Sequence, residues 1–198
     1  MVIRNILLAL LSLYCAPSFA RGNDTSSGSR RPDAPLVTKN IISFTPIQLV
    51  ENSYGFGVAF EHFTGKNGIL SICLPVFSTY DITNGHNPRR NQTTYIMPGV
   101  KLYVSKPGSK IKCALGPSII AGIGQSIVYN DFGVNPTGPQ QKSVLGTVVN
   151  GSVNIYPFPH IYYGVELGGG YLFYERVGAR DYGSQRLVHC GFSIGYRF

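Results

Sequence analysis

The sequence has few charged residues, no tryptophan and no long apolar run. Charged residues account for 13% of the chain and hydrophobic residues for 43%, whereas a typical soluble domain has about 25% charged residues. Glycine or proline interrupts every apolar stretch before it reaches the roughly 18 residues that a membrane-spanning helix needs. The composition therefore excludes a helical membrane protein and is unusual for a protein whose whole surface faces water.

Cysteine is also scarce, and its spacing indicates no site. Cys15 lies near the N-terminus, and Cys73, Cys113 and Cys190 are far apart in the sequence. This is the pattern neither of a disulfide framework nor of a zinc site. We expect three small, half-buried side chains and no metal or cofactor.

The N-terminal segment is predicted to direct export and to be removed. Residues 1–20 combine the basic Arg4, an apolar run from Ile6 to Leu13 and small residues ending at Ala20, as in a cleaved signal peptide. Residues 21–40 are polar, lack periodicity and are predicted to be a flexible periplasmic leader. The formal net charge of +8 is scattered over an exported chain with no basic helix, so nucleic acid is not an expected partner.

From Ile41 onward the side chains alternate with a period of two, which predicts β-strands. In 54–63, for example, Tyr54 and Phe56 fall on one face while Gly55 and Glu61 fall on the other. The first strand fits the alternation poorly, which suggests a β-bulge. The predicted strands are 41–50, 54–63, 69–80, 93–104, 111–129, 143–156, 161–174 and 186–198.

The predicted connections alternate between short and long. Short turns are expected at 64–68, 105–110 and 157–160. Long loops are expected at 81–92, 130–141 and 175–185 at the opposite end, where 51–53 is the one short connection. Short periplasmic turns and long external loops are typical of outer-membrane barrels. Residues 41–198 are therefore predicted to form an all-β, eight-stranded, antiparallel, up-and-down transmembrane β-barrel with both ends on the periplasmic side.

The distribution of apolar residues predicts that the barrel lies in a bilayer. A sheet survives in hydrocarbon only when it is closed, because every backbone group must be hydrogen-bonded internally. Here the bulky aliphatic positions share one face, and the glycines and charges share the other. A soluble lipocalin-type barrel would show the inverse arrangement, with charges facing water and apolar groups inside.

Together with the strand pattern, the C-terminal residues resemble those of a known group of proteins. Eight alternating strands after a signal peptide, ending in Tyr196-Arg197-Phe198, resemble the small outer-membrane barrels of the OmpA and OmpX type. The resemblance implies location in the outer membrane of a Gram-negative bacterium, in contact with its lipid. It also implies that Tyr196 and Phe198 form the signal that the barrel-assembly machinery reads during biogenesis.

Five charged residues are predicted to face the lumen near its periplasmic end. They are Glu61, Lys101, Lys112, Glu166 and Arg197. Charges confined in a narrow lumen must be paired or hydrated, so we expect an ion-pair network there. Such a network either plugs the barrel as a structural element or gates a small pore, as in barrels that the chain resembles.

The external loops carry cations with few acids nearby, which suggests contacts with the phosphates of lipopolysaccharide. Solvated loop charges are the alternative. The residues concerned are Arg89, Arg90, Lys142, Arg176, Arg180 and Arg186, of which Arg89, Arg90, Arg176 and Arg180 are the principal candidates.

Three functions are consistent with this pattern. The first is a monomeric structural or surface-interaction protein, and the second is a narrow passive pore. The third is a lipid-modifying barrel enzyme, such as a lipid A deacylase or palmitoyl transferase. No His-x-Ser pair of the deacylase kind occurs, and His189 and Ser193 are too far apart for direct contact. No enzymatic activity is expected.

Overall fold

The computed structural model describes residues 39–64, 68–81, 91–105, 109–129 and 136–198. The predicted signal peptide, nearly all of the leader, and Arg89 and Arg90 lie outside these residues. No helix in the described part of the chain is long and apolar enough to cross a membrane.

The described chain forms one closed antiparallel sheet. The strands are β1 Asn40–Val50, β2 Ser53–Thr64, β3 Leu70–Asp81, β4 Gln92–Ile96, β5 Gly99–Tyr103, β6 Ile111–Tyr129, β7 Pro136–Ile155, β8 Ile161–Val177, β9 Arg180–Asp181 and β10 Gln185–Arg197. Strands that adjoin in the ring pair in antiparallel fashion, and β10 pairs with both β8 and β1, which closes the ring. Because β4 and β5 share one position between β3 and β6, and β9 only extends the end of β8, the ring has eight positions. The predicted eight-stranded up-and-down barrel is confirmed.

Proline lies at two of the irregularities in the sheet, the one within β1 and the one between β4 and β5. In β1 the register shifts between Phe44 and Ile47, around Pro46, which lacks a backbone N–H. The suspected bulge is therefore present, and it turns Ile42, Phe44, Ile47 and Leu49 outward despite their different parity. The break between β4 and β5 falls at Met97-Pro98. Met97 N donates to Pro75 O on β3 and Pro98 O accepts from Ile119 N on β6, each at 2.9 Å, so the sheet continues across the break.

We refer to the end of the barrel that holds Asn40 and Phe198 as the terminal end, and to the opposite end as the loop end. At the loop end, β7 and β8 extend into segments that the sequence assigned to loops. The predicted loops 130–141 and 175–185 were too long, because β7 already begins at Pro136 and β8 continues to Val177. The apolar alternation stops there at Gln140 and Gln141, but the backbone pairing with β6 continues.

The interior contains more apolar side chains than expected. One cluster, the apolar plug, lies toward the loop end and consists of Val50, Phe77, Tyr95, Met97, Ile120, Val144, Val148, Leu172 and Leu187. A second, the aromatic floor, lies toward the terminal end and consists of Ile41, Phe63, Tyr103, Ala114, Tyr156 and Tyr162. Glycines make room for these side chains: a Cβ on Gly122 would collide with Tyr95, and one on Gly195 with Tyr162. The expectation of a lumen lined by small and polar groups was therefore only partly right.

Candidate functional site

Between the apolar plug and the aromatic floor lies a polar layer built around one ion pair. Lys101 projects inward from β5 and Glu166 from β8, and their Nζ and Oε2 atoms are 2.6 Å apart. The two side chains are only 13% and 20% exposed. An ion pair at this depth is far less screened than one on the surface.

Glu61 on β2 lies in the same layer and is held by hydroxyl groups. Its Oε1 atom accepts hydrogen bonds from Ser71 Oγ and from Tyr103 OH, each at 2.6 Å. The Tyr103 hydroxyl accepts a longer bond of 3.4 Å from Asn154 Nδ2. These donors compensate for the loss of water around a carboxylate that is 6% exposed.

Lys112 and Arg197 occupy a different position from the other three predicted lumen charges. Both contact the faces of the Phe63 and Tyr156 rings, with cation-to-centroid distances between 5.4 and 5.9 Å. This is the geometry of cation–π interactions. The five residues thus divide into an inner group, Glu61, Lys101 and Glu166, and two cations at the aromatic floor.

A chain of uncharged groups extends the polar layer toward the loop end. His189, which is 1% exposed, contacts Gln48 Nε2 through Nδ1 at 3.2 Å and Asn150 Oδ1 through Nε2 at 2.8 Å. Asn150 Nδ2 donates to Ser118 Oγ at 2.8 Å. A neutral imidazole with its proton on Nε2 satisfies both contacts of the ring.

The alternation along β7 and β10 puts Asn150 and His189 on the lumen face but does not reveal their contact. The two residues come from β10 and β7, which are separated by β8. Gly168 on β8 lies between them, and a Cβ at that position would collide with both side chains. An inward glycine that faces two polar residues on flanking strands is the signal that could have revealed the contact.

A second ion pair lies at the loop end of the lumen. Lys142 Nζ lies 2.7 Å from Glu175 Oε1, and the side chains are 22% and 10% exposed. Lys142 is therefore an inward-facing residue of β7 and not the solvated loop cation that the sequence suggested. Glu51, in the β1–β2 turn, faces this pair; partial desolvation raises its pKa above the ordinary value, and the Glu175 carboxylate adds to the shift.

The polar layer encloses a cavity of about 40 Å³, enough for about three water molecules. Its lining includes Glu61, Lys101, Glu166 and Ser152, whose buried hydroxyl has no protein partner. The layers on either side are sealed: Met97 and Ile120 are 1% and 0% exposed, and Phe63 is 4% exposed. In the described part of the chain, this chamber thus lies between two layers of packed side chains.

The remaining predicted site residues lie on the surface. Arg176 and Arg180 are exposed on β8 and β9. Tyr196 and Phe198 point outward and are 51% and 50% exposed. Two backbone hydrogen bonds of 3.0 Å join Phe198 to Asn40, so the C-terminal residue forms part of the barrel seam.

Within the described residues, the cysteines do not form a site. Cys73 is buried in the lumen, Cys113 and Cys190 are half-buried, and all three are free. No group of three His, Cys, Asp or Glu side chains in this part of the chain could hold a metal ion.

Comparison with known proteins identifies the fold. No protein-family model matches the chain, and no curated protein matches its sequence. Among solved structures, the N-terminal β-barrel domain of Pseudomonas aeruginosa OprF is similar, with a TM-score of 0.58 at 9% identity over 81% of this chain and 98% of that one.

Two further barrels match over a similar length. Neisserial surface protein A has a TM-score of 0.56 at 11% identity, covering 80% of this chain and 96% of its own. A major outer membrane protein from Thermus thermophilus has a TM-score of 0.55 at 13% identity, covering 80% of this chain and 98% of its own. The chain therefore has the fold of the small outer-membrane β-barrels, as its pattern of alternating strands predicted.

Proposed function

We propose that this chain is a monomeric outer-membrane β-barrel with a closed lumen and a structural or surface-interaction role. The observation that carries the proposal is the apolar belt around the barrel. On β10 the outward row runs through Val188, Phe192, Ile194 and Tyr196 to Phe198. Ten steps of about 3.3 Å at a tilt of about 40° give a height of about 25 Å, which matches the apolar band of outer-membrane barrels.

The positions of the charged residues support a bilayer around this belt. In the described strands, acidic and basic side chains within the belt all point inward, and the outward-facing Arg176 and Arg186 lie beyond its edge at the loop end. A lysine or arginine on the lipid face costs about 2–4 kcal/mol at the bilayer midplane. An apolar belt of this size in water would promote aggregation.

The two ends of the barrel supply its orientation. Asn40 and Phe198 lie together at the terminal end, which we place in the periplasm, while β6, β7 and β8 project beyond the belt at the loop end. This arrangement matches the short periplasmic turns and longer external loops of outer-membrane barrels. The external projection is the part of the chain available for contacts at the cell surface.

The packing of the lumen favours a structural role over a pore. Hydrated ions need a continuous aqueous path, and the apolar plug and aromatic floor each interrupt it. We expect no stepwise conductance above the bare membrane when the purified barrel is added to a planar bilayer. Reproducible stepwise increases in conductance after addition of the purified barrel would contradict the closed lumen.

Catalysis is not part of the proposal. Asn150 forms hydrogen bonds with both Ser118 and His189. Ser118 is 5% exposed and His189 is 1% exposed. A nucleophile and its base need direct hydrogen-bond contact and access to substrate. Ser118 and His189 have neither the direct contact nor the access.

Assembly is proposed to depend on the C-terminal aromatic residues. Tyr196 and Phe198 are exposed on the outward face, where an assembly factor that binds the strand before closure can reach them. Removing Phe198 should leave the chain in the periplasm or degraded, as measured by fractionation. Normal accumulation of that variant in the outer membrane would remove this part of the proposal.

The membrane assignment is tested with two lysines on one face of one strand. Val165→Lys lies near the middle of the belt on β8, and Ile161→Lys lies at its periplasmic edge. In a bilayer, the first should lower the free energy of unfolding by about 2–4 kcal/mol and the second by about 0–1 kcal/mol. Membrane fractionation and heat-modifiable gel migration of the wild type accompany the measurement. Equal effects of the two lysines, or a wild-type chain that stays monomeric in water without detergent, would refute the assignment.

A further inference from the structure

At the terminal end of the barrel, basic residues lie on both sides of one turn. The turn 157–160 joins β7 to β8. Backbone hydrogen bonds of 2.7 Å connect its two flanks to neighbouring strands: Tyr156 N donates to Lys110 O, and Arg197 N donates to His160 O. Lys110 immediately precedes β6, and Arg197 is the last residue of β10. The turn therefore lies between two strand ends that carry cations.

Two cations at this end face the inside of the barrel. Lys112 and Arg197 both lie over the rings of Phe63 and Tyr156 in the aromatic floor. These contacts fix the positions of the cations, and because the rings carry no net charge they add no negative charge to the site. We refer to Lys110, Lys112 and Arg197, together with the two rings, as the basic mouth.

The acidic side chains of the described chain lie elsewhere. Glu61 and Glu166 belong to the polar layer beyond the aromatic floor. The other described acids are at the loop end: Glu51, Asp81, Glu175 and Asp181. None of the three connections at the terminal end contains Asp or Glu in its sequence, and residues 21–38 contain three arginines and two aspartates. The side chains at the terminal end therefore carry a net positive charge.

An exposed aromatic ring lies beside the basic mouth. Phe158, in the turn 157–160, is 62% exposed. The neighbouring residues Pro157 and Pro159 have a fixed φ, which limits the conformations of the turn. Covering this ring with an apolar side chain of a partner would remove apolar surface from water and stabilise the complex. The turn thus combines cations with an apolar contact point.

We propose that the basic mouth binds an acidic peptide segment of a periplasmic partner protein. The inference rests on the proposed periplasmic placement of the terminal end. Lys112 and Arg197 lie inside the wall, whereas lipid headgroups surround its outside, so a group that reaches both approaches along the barrel axis. Carboxylates bind such cations through charge-assisted hydrogen bonds, and an apolar side chain of the same peptide contacts Phe158. Because Phe63 of the aromatic floor is only 4% exposed, the peptide docks at the mouth itself.

The test measures binding of a fluorescein-labelled peptide of glutamate, glycine and leucine, by fluorescence anisotropy, to the refolded full mature barrel in phosphatidylcholine nanodiscs. The mouth variant K110Q/K112Q is compared with R176Q/R186Q, which removes two exposed arginines at the loop end. We expect the mouth variant to bind at least about fivefold more weakly, because it loses two charge-assisted contacts. The loop-end variant and K110R/K112R, which keeps both charges, should stay within about twofold of the wild type.

Changes in the peptide and the buffer separate the charged contact from the apolar one. Binding should weaken when the glutamates are replaced by glutamine, and also when the salt concentration is raised about tenfold, because salt screens exposed charges. Phe158→Ser should weaken binding of the peptide with leucine but not of one with glycine in its place. Equal binding of the glutamine peptide, or equal losses in the mouth and loop-end variants, would overturn the inference.

Competition identifies the class of partner. Soluble peptidoglycan fragments or phosphatidylglycerol vesicles that displace the peptide as well as its unlabelled form does would overturn the inference and assign the mouth to the cell wall or to a membrane surface. Folding of each variant is checked by heat-modifiable gel migration, and if K110Q/K112Q does not fold, the glutamine peptide and the salt series decide the outcome with the wild type. Membrane fractionation is measured separately. A wild type that stays in water refutes the proposed function, whereas a wild type in the membrane that binds the peptide without dependence on the two lysines refutes this inference alone.

Discussion

Removing Lys101 should destabilise the barrel more than removing its partner Glu166. Lys101 pairs with Glu166 at 2.6 Å and is also attracted electrostatically by Glu61. Lys101→Met therefore removes the cation that pairs with Glu166 and attracts Glu61. Breaking a buried pair from one side costs about 3–5 kcal/mol, and we expect a loss in that range.

The complementary variant should be milder because Lys101 keeps a second carboxylate. Glu166→Gln removes one charge but leaves Glu61 near the ammonium group, so we expect a loss of about 1.5–3 kcal/mol, the value of one hydrogen bond to a charged group. In the double variant the remaining carboxylate, Glu61, keeps its bonds from Ser71 and Tyr103. The double variant should therefore be more stable than Lys101→Met by at least about 1 kcal/mol.

The assay is urea unfolding in phospholipid vesicles. Folded and unfolded fractions are measured by heat-modifiable gel migration and by far-UV circular dichroism, since the chain contains no tryptophan for fluorescence. Leu102→Met, a conservative change on the outward face of the same strand, serves as the control and should cost less than about 1.5 kcal/mol. Losses that simply add in the double variant, or a Lys101→Met barrel as stable as the control, would refute the reasoning.

Three further predictions use the same unfolding measurement. Glu51→Gly should raise the free energy of unfolding by about 1 kcal/mol, because Glu51 has a φ of 51°, a left-handed conformation that glycine adopts without strain. Glu51→Ala should give no such gain. A similar gain in both variants would show that the effect comes from removing the charge. Asn150→Ala should lower the free energy of unfolding by about 1–3 kcal/mol, because His189 and Ser118 each lose a hydrogen-bond partner. Ser152→Ala removes a buried hydroxyl without a protein partner and should not lower it. The reverse order would contradict the hydrogen-bond assignment. Gly169→Ala should be neutral because it points outward into open space, and Gly170→Ala should cost about 1–3 kcal/mol because its Cβ would collide with Thr147; equal tolerance of the two would mean that the inward and outward faces are misassigned.

The exterior of the barrel could be predicted from the sequence because it depends on one local rule. Side chains of a strand alternate between the two faces, so a bulky apolar residue at every second position identifies the lipid-facing row. The rule succeeded even for β1, where the mismatch between Phe44 and Ile47 indicated the bulge that the structure contains. It failed at the loop ends, where Gln140 and Gln141 continue the strand without apolar alternation.

The interior could not be predicted to the same depth because its contacts cross the barrel. The parity of a residue shows that it faces the lumen, but not its height or its partner. The alternation put Lys101 and Glu166 on the lumen face, yet nothing in their spacing indicated that they would pair with each other. Lys142 was misplaced for a related reason: its strand begins outside the apolar belt, where polar neighbours suggested a loop.

The layered interior also limits what a charge switch in this lumen can do. If Lys101 exchanged Glu166 for Glu61, only the central chamber would change, because the apolar plug and the aromatic floor do not depend on that pair. Met97, Ile120 and Leu187 on one side and Phe63 on the other are at most 4% exposed, so both layers are packed. A conducting path would require at least two packed layers to open together, which costs the burial free energy of several large side chains at about 1.5–3 kcal/mol each. In the proposed closed barrel, a rearranged ion pair alone is therefore not a sufficient gate.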